Sequence, residues 1–292
     1  MSSSPANQPL VDYSKLDKTS QLVINSNDPC GRGGSSDIYQ CMLHGEKVAV
    51  KVIRIHVRKL DQKVTRRINR EVQSWAVLKH DHVLSLRGIC FWSNSSLPSF
   101  ISSWMENGSL DSYLKKNPFI DIVPYFLQIA SGLLYLHKLD MVHGDIRAGN
   151  VLVSNEGIAK ISDFGLSRRT FGDLNVVTSD NVPGTLRWMA VEYFRGEIEG
   201  SFPEQPRMTK ESDVWAFGMT VLELWSGKVP FAKMNDLAVL TALHQGKRPE
   251  LPFPARTSET RHAGWLEDLC QECWALEPSE RPTMSTIYSC LR

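Results

Sequence analysis

His143-Gly144-Asp145-Ile146-Arg147-Ala148-Gly149-Asn150, followed by Asp163-Phe164-Gly165, decides the reading of this chain. The two strings put two carboxylates and one carboxamide on neighbouring loops. Magnesium prefers a few oxygen ligands and keeps several of its waters. The set suits holding that ion and a hydroxyl beside a triphosphate.

Outward from these strings the pattern divides. Residues about 120–138 are apolar nearly all round, as in a buried helix. Asp213 to Ser226 behaves similarly and stops at Gly227, with Pro230 just beyond. Toward the N-terminus, Leu22 to Ser102 reads mainly as strands with one helix. Lys47-Val48-Ala49-Val50-Lys51-Val52-Ile53 is β-branched and alternating, a strong strand signal. In the helix expected over residues 61–79, Val64, Ile68, Val72 and Trp75 recur at helical spacing, while Arg66, Arg67 and Arg70 fall off that stripe. Residues 1–21, rich in Ser, Pro, Asn and Gln, read as a loose polar tail.

In these motifs and their order the chain resembles the eukaryotic protein kinases, in particular the tyrosine-kinase-like branch, over nearly everything from Leu22 to Arg292. The resemblance implies an α+β, bilobal fold: a small β-rich N-lobe over 22–102, a hinge at 103–107 and a mainly helical C-lobe over 108–292. It also implies roles. Asp145 accepts or orients the proton of the attacking hydroxyl, and Asn150 and Asp163 bind magnesium.

Cys30-Gly31-Arg32-Gly33-Gly34-Ser35-Ser36-Asp37-Ile38-Tyr39 is rich in glycine, which lets backbone N–H groups approach phosphate closely. A plain hairpin turn reads the same way in isolation. Against the family pattern Gly31 and Gly33 match, Gly34 is an added glycine, and Ser36 replaces the last glycine. No Lys-Ser/Thr follows, which argues against a Walker-type P-loop. Val48-Ala49-Val50-Lys51 resembles the strand whose lysine contacts the α- and β-phosphates. Its expected partner is Glu71, which lies near the apolar stripe of the helix. A buried carboxylate needs a partner. The alternative is an exposed Glu71 paired with Arg67 or Arg70.

By the same resemblance Ile38, Ala49 and Leu152 sandwich adenine, Ser103 and Met105 offer it backbone hydrogen bonds, and the small Ser102 guards the back of the pocket. Glu192 pairs with Arg281. Asp213 holds the backbone of the catalytic loop. Trp75, Leu86, His143 and Phe164 form an apolar column, so His143 is a packed histidine and no general base. Gly144 stands where most kinases carry Arg, which implies weaker dependence on activation-loop phosphate. Val191 replaces the usual Pro. Thr170, Thr178 and Ser179 are candidate phosphosites, and Glu197 to Arg207 reads as an extended loop. Arg147-Ala148-Gly149 and Arg187-Trp188-Met189-Ala190 look partly like tyrosine kinases. Gly184-Thr185 looks like the Ser/Thr class, where the Thr bonds the catalytic Asp.

Bulk composition excludes other classes. The 33 basic and 32 acidic residues nearly cancel, so no strong pull toward nucleic acid or anionic membrane is expected. No apolar run approaches the roughly 20 residues that span a bilayer, so no membrane insertion is expected. Met1 to Gln8 lacks the regions of a signal peptide. Six cysteines in 292 residues make no disulfide scaffold and suit a reducing cytoplasmic setting. Cys270-Gln271-Glu272-Cys273 has metal-ligand spacing but no second ligand pair, and reads as part of a helix. His80 and His82 read as ordinary loop residues.

The expectation is an ATP- and Mg2+-dependent protein kinase that acts on a protein Ser/Thr hydroxyl. The alternatives are a pseudokinase scaffold, favoured by Ser36, Gly144 and Val191, and a tyrosine or dual-specificity kinase. A small-molecule kinase is disfavoured by Arg187 to Glu192 and Asp213-Val214-Trp215.

Overall fold

Strands β3 (Ser36–Leu43) and β4 (Glu46–Ile53) form a hairpin whose turn, His44-Gly45, has both residues at positive φ (51° and 81°). Such turns match the twist of the flanking strands. The computed structural model describes residues 13–32, 36–54, 62–164, 168–169, 185–194, 208–251 and 260–292. Two units are formed, one from the chain up to Lys79 with Ser85–Trp104, the other from His80–Leu84 with Met105–Arg292.

In the first unit β1 (Leu22–Ile24), β5 (Leu86–Cys90) and β6 (Ser99–Ser103) complete an antiparallel sheet in the order β1-β3-β4-β6-β5, and β2 (Gly31–Arg32) pairs with β3. Register sets the faces. Ile38 lies opposite Lys51, Ala49 opposite Ser102, and Lys51 opposite Phe100. Because side chains alternate along a strand, these residues share one face. The intervening residues Cys41, Leu43, Val48, Val50, Cys90 and Ile101 form a buried cluster. Helix α1 (Gln62–Ala76) packs Trp75 near Phe100, with ring centroids 5.7 Å apart. Its stripe residues Ile68, Val72 and Trp75 are buried and Arg70 is exposed, as helical spacing predicts.

The polar start departs from expectation. Residues 13–21 are not a loose tail. Leu16 O accepts from Ile89 N–H, and Lys18 N–H donates to Ile89 O, both at 2.8 Å. Thr19 Oγ1 accepts from Phe91 N–H at 3.0 Å. Polar composition hid this because the contact is made by backbone, which any sequence carries.

In the second unit the helices are α2 (Leu110–Lys116), α3 (Val123–Lys138), α4 (Lys210–Ser226), α5 (Asp236–His244), α6 (Thr260–Cys273) and α7 (Met284–Leu291). Short strands β7 (Met141–Val142) and β10 (Arg168–Arg169) pair, as do β8 (Val151–Val153) and β9 (Ala159–Ile161). Helix α4 is the axis of the unit. A reciprocal cap between Thr209 and Ser212 starts it, Gly227 in the left-handed region ends it, and Trp215, Phe217 and Met219 are fully buried. His80–Leu84 belongs here because Leu84 N–H and Ile161 N–H bond to Ile161 O and His82 O. His82 Nδ1 bonds Ala159 O and His80 stacks on Tyr135, so both histidines serve packing. Cys270 and Cys273 are buried on α6, and burial pushes the Cys270 thiol up to about 12. No cluster of three metal-ligating side chains occurs among the described residues. No helix among them is long and apolar enough to cross a membrane.

Candidate active site

The loop from His143 to Asn150 is fixed from below by Asp213, which is fully buried at the first turn of α4. Asp213 Oδ2 accepts from His143 N–H at 2.8 Å and from His137 Nε2 at 3.0 Å, and Oδ1 accepts from Gly144 N–H at 2.8 Å. Three N–H groups aimed at one carboxylate make charge-assisted bonds, about twice as strong as neutral ones. Gly144 sits at φ 81°, a region that costs other residues about 1–2 kcal/mol. The glycine lets the turn reach Asp213 without that strain.

His143 is sealed at 0% exposure. Its Nδ1 accepts from Asp145 N–H at 3.2 Å, so the ring proton resides on Nε2, which donates to Ser162 O at 2.9 Å. The ring meets Phe164 edge-on at 5.4 Å. Both nitrogens are used in holding the two loops together, which fits a packed histidine. In the first unit Trp75 is buried and Leu86 half-buried.

Asp145 Oδ2 accepts from Asn150 Nδ2 at 2.7 Å, and the same amide nitrogen donates to Asp145 O at 2.8 Å. Asp145 Oδ1 is buried and has no hydrogen-bond partner, although Arg147 Nε stands 3.6 Å away. Burial raises the Asp145 pKa, Arg147 and the Asn150 bond oppose the rise, and the neighbouring Asp163 charge adds to it. Asn150 O accepts from both Ser162 N–H and Ser162 Oγ at 2.8 Å, which brings Asp163 beside the loop. Asp163 occupies φ 63°, where Asp is among the few residues tolerated. The carboxylate oxygens of Asp145 and the neighbouring Asp163 are a donor set that oxygen-seeking Mg2+ fits.

Glu223 escaped the sequence reading. It lies on α4, is largely buried, and its Oε2 accepts from Ala148 N–H at 3.0 Å and Trp188 Nε1 at 2.9 Å. Burial pushes its carboxyl up to about 7, against the pull of those two bonds and of Arg147, with Asp111 adding to the rise. The available signal was a single charge in the apolar run that follows Asp213 on this helix. Arg147 also stands over the Trp188 ring at 5.9 Å.

Farther along, Arg281 grips Glu192 with two bonds of 2.8 and 2.6 Å, and spends its other donors on Ala275 O and Glu211 O. Its guanidinium lies 5.0 Å from the Trp215 ring. Thr185 makes no bond to Asp145, contrary to expectation, although both line one small cavity with Gly144 and Tyr193. The Thr185 backbone turns into a short 3-10 helix over Leu186–Trp188.

In the first unit, Gly31 and Arg32 form β2, and Ser36 is buried at the start of β3, paired with Ile53. Gly33 and Gly34 lie outside the described residues, as do Thr170, Thr178, Ser179, Gly184 and the stretch 197–207. Ile38, Ala49 and Lys51 share one face with Ser102, while the Ser103 side chain alternates to the other. Glu71 is buried on α1 at 8% exposure, so the exposed alternative is excluded. In the second unit Met105 O accepts from Gly108 N–H, and Leu152 lies half-buried on β8.

The sequence profile of the family described as "Protein tyrosine and serine/threonine kinase" matches residues 24–291. The chain is 30% identical over 270 residues to mitogen-activated protein kinase kinase kinase 10 of Homo sapiens, covering 88% of this chain and 26% of that protein. It is 31% identical over 259 residues to the cytokinesis protein sepH of Emericella nidulans, covering 87% and 18%. A probable serine/threonine-protein kinase of Dictyostelium discoideum is 30% identical over 265 residues, covering 88% and 15%. The chain thus spans about a quarter or less of the length of these curated relatives. A His143–Asn150 loop hung on a buried Asp213, a Glu192–Arg281 clamp and a six-stranded sheet carrying Lys51 agree with that match, and the chain belongs to the protein tyrosine and serine/threonine kinase family.

Proposed function

We propose that this protein kinase transfers the γ-phosphoryl group of ATP, with Mg2+, to a Ser or Thr hydroxyl of a protein substrate. The observation that carries the reading is Asp145. One of its oxygens is held by Asn150 and the other is buried without a partner. A carboxylate so arranged orients a hydroxyl and takes its proton as the oxygen attacks. Arg147, at 3.6 Å, opposes the upward push that burial exerts on the Asp145 carboxyl. Asn150 commits its amide nitrogen to Asp145, so its carbonyl oxygen is the atom it offers a cation, and Asp163 offers a carboxylate. Bound Mg2+ neutralises phosphate charge in a loose transition state, where positioning and electrostatics supply most of the rate.

The first unit supplies nucleotide contacts. Lys51 takes the α- and β-phosphates, with Glu71 as its partner, and the Gly31-to-Ser36 turn covers them with backbone N–H groups. Ile38 and Ala49 offer adenine apolar contact and Ser103 a backbone hydrogen bond, and in the second unit Leu152 and Met105 have the corresponding roles. The similarity to a probable serine/threonine-protein kinase of Dictyostelium supports the Ser/Thr assignment.

Incubation with radiolabelled ATP, Mg2+ and a generic acceptor protein, followed by phosphoamino-acid analysis, tests the proposal. Labelled Ser or Thr is expected from the native chain, and none from Asp145→Asn or Lys51→Met. Equal labelling by native protein and Asp145→Asn removes the mechanism. Labelled Tyr alone removes the specificity.

A further inference from the structure

We propose that Tyr13–Thr19 is a latch that fixes helix α1, making Tyr13 and Asn69 positioning residues for Glu71. The inference rests on the nucleotide role of Glu71 proposed above. Its geometry lies entirely within the first unit.

Three observations carry it. Strand β5 is an edge of the sheet, and an edge exposes unpaired backbone groups. Leu16–Thr19 occupies that edge. Asp17 bridges Ile89 in parallel register, with Leu16 O and Lys18 N–H bonding Ile89 on either side. Gly88 makes the approach possible, because a Cβ there would stand 2.6 Å from Leu16 O and 2.7 Å from Lys18 Cγ. Sequence composition alone gave no reason for a strand-like addition here, whereas the glycine gives a steric one.

The segment then reaches the helix. Tyr13 Oη donates to Asn69 Oδ1 on α1, while its ring packs edge-on against Phe91 at 6.2 Å. The Tyr13 hydroxyl is partly buried, and burial raises its pKa. Asn69 precedes Glu71 by two residues on the same helix turn. The apolar stripe of α1 sets which face is buried, but apolar contact is non-directional and leaves sliding along the axis weakly opposed. A side-chain hydrogen bond from a segment anchored by backbone to β5 fixes that remaining freedom. Because Glu71 is buried, a small shift of the helix moves a largely desolvated carboxylate.

The test uses the full chain and four variants: Tyr13→Phe, Asn69→Leu, Asn69→Asp and the double change Tyr13→Phe with Asn69→Leu. Tyr13→Phe keeps the ring contact and removes only the hydroxyl. Asn69→Asp keeps an acceptor for it. Hydrogen exchange of the peptide spanning 62–76 is measured, together with KM for Mg-ATP, KM for an acceptor peptide, and kcat. Tyr13→Phe and Asn69→Leu should each speed exchange in 62–76 by roughly 3- to 10-fold, the range of one hydrogen bond. Exchange in α4 should not change. KM for Mg-ATP should rise while the acceptor KM stays, the double variant should be no worse than either single one, and Asn69→Asp should behave as native. Unchanged exchange in 62–76 overturns the latch, whatever the activity. Faster exchange with unchanged KM and kcat overturns its positioning role and leaves it merely structural. A native chain that transfers no phosphate sinks the proposed function instead, and the exchange measurement then decides the latch by itself.

Discussion

Replacing Asp213 with Asn tests the claim that one buried carboxylate holds the catalytic loop. Asp213 Oδ2 serves two donors, His143 N–H and His137 Nε2, and Oδ1 serves Gly144 N–H. An asparagine keeps one acceptor oxygen and presents an NH2 group at the other position. If the oxygen faces His143 and His137, the NH2 group meets Gly144 N–H, donor against donor. If it turns the other way, two bonds are lost. The first arrangement is the cheaper. It loses one charge-assisted bond, about 1.5–3 kcal/mol, and leaves a buried donor unsatisfied, about 1–3 kcal/mol more. The sum is about 2.5–6 kcal/mol, a fall in Tm of about 10 °C for a domain of this size. The released group is the backbone just before Asp145, so phosphate transfer should fall by about 100-fold, as expected for a misplacement near 1 Å. Thermal unfolding followed by circular dichroism, and turnover on an acceptor peptide, read the two effects. A Tm within about 2 °C of native with unchanged turnover would refute the reasoning.

The remaining predictions are briefer. Glu223 is held near 7 in the fold, above its ordinary 4.5, so the native state binds more protons between those values and stability falls as pH rises through them. The loss is fully present above pH 7 and amounts to about 3 kcal/mol. Glu223→Gln keeps an acceptor for Ala148 and Trp188 but cannot ionise, so its stability relative to native should improve by about that amount from pH 5 to pH 8 in urea titrations; an equal difference at both pH values contradicts the assignment. Gly144→Ala forces a Cβ into a left-handed turn and should cost about 1–2 kcal/mol, seen as a Tm lower by a few degrees. Ser102→Met enlarges a buried side chain directly opposite Ala49, and should weaken bulky ATP-competitive inhibitors while sparing ATP; retained sensitivity would misplace the pocket. Glu192→Ala leaves the fully buried Arg281 guanidinium without its carboxylate, and should destabilise by about 3–5 kcal/mol, measured by denaturant unfolding.

Sequence reading went furthest where a residue type has few substitutes. The strand around Lys51 and the helix ending at Gly227 appeared because period-2 and near-continuous apolar patterns map directly onto backbone geometry. Glu192 and Arg281 were paired by family resemblance, and the fold supplies the bidentate geometry. Asp213 was assigned to the loop backbone on the same ground, and its three N–H partners bear this out. Less was legible where the decisive partner is distant in the chain. Thr185 was expected to bond Asp145 and does not.

Glu223 shows the limit from the other side. It is the one charge in the apolar run after Asp213, and nothing local says that Ala148, 75 positions earlier, donates to it. Likewise the composition of residues 13–21 is that of a disordered tail, and only the edge of β5 and the gap above Gly88 give it a place. Local pattern determined the helices, the strands and the chemical inventory of the site, because those depend on near neighbours along the chain. Folding alone decided which buried carboxylate meets which N–H group, because such pairings depend on contacts between segments far apart in sequence, where burial makes each unmatched polar atom costly.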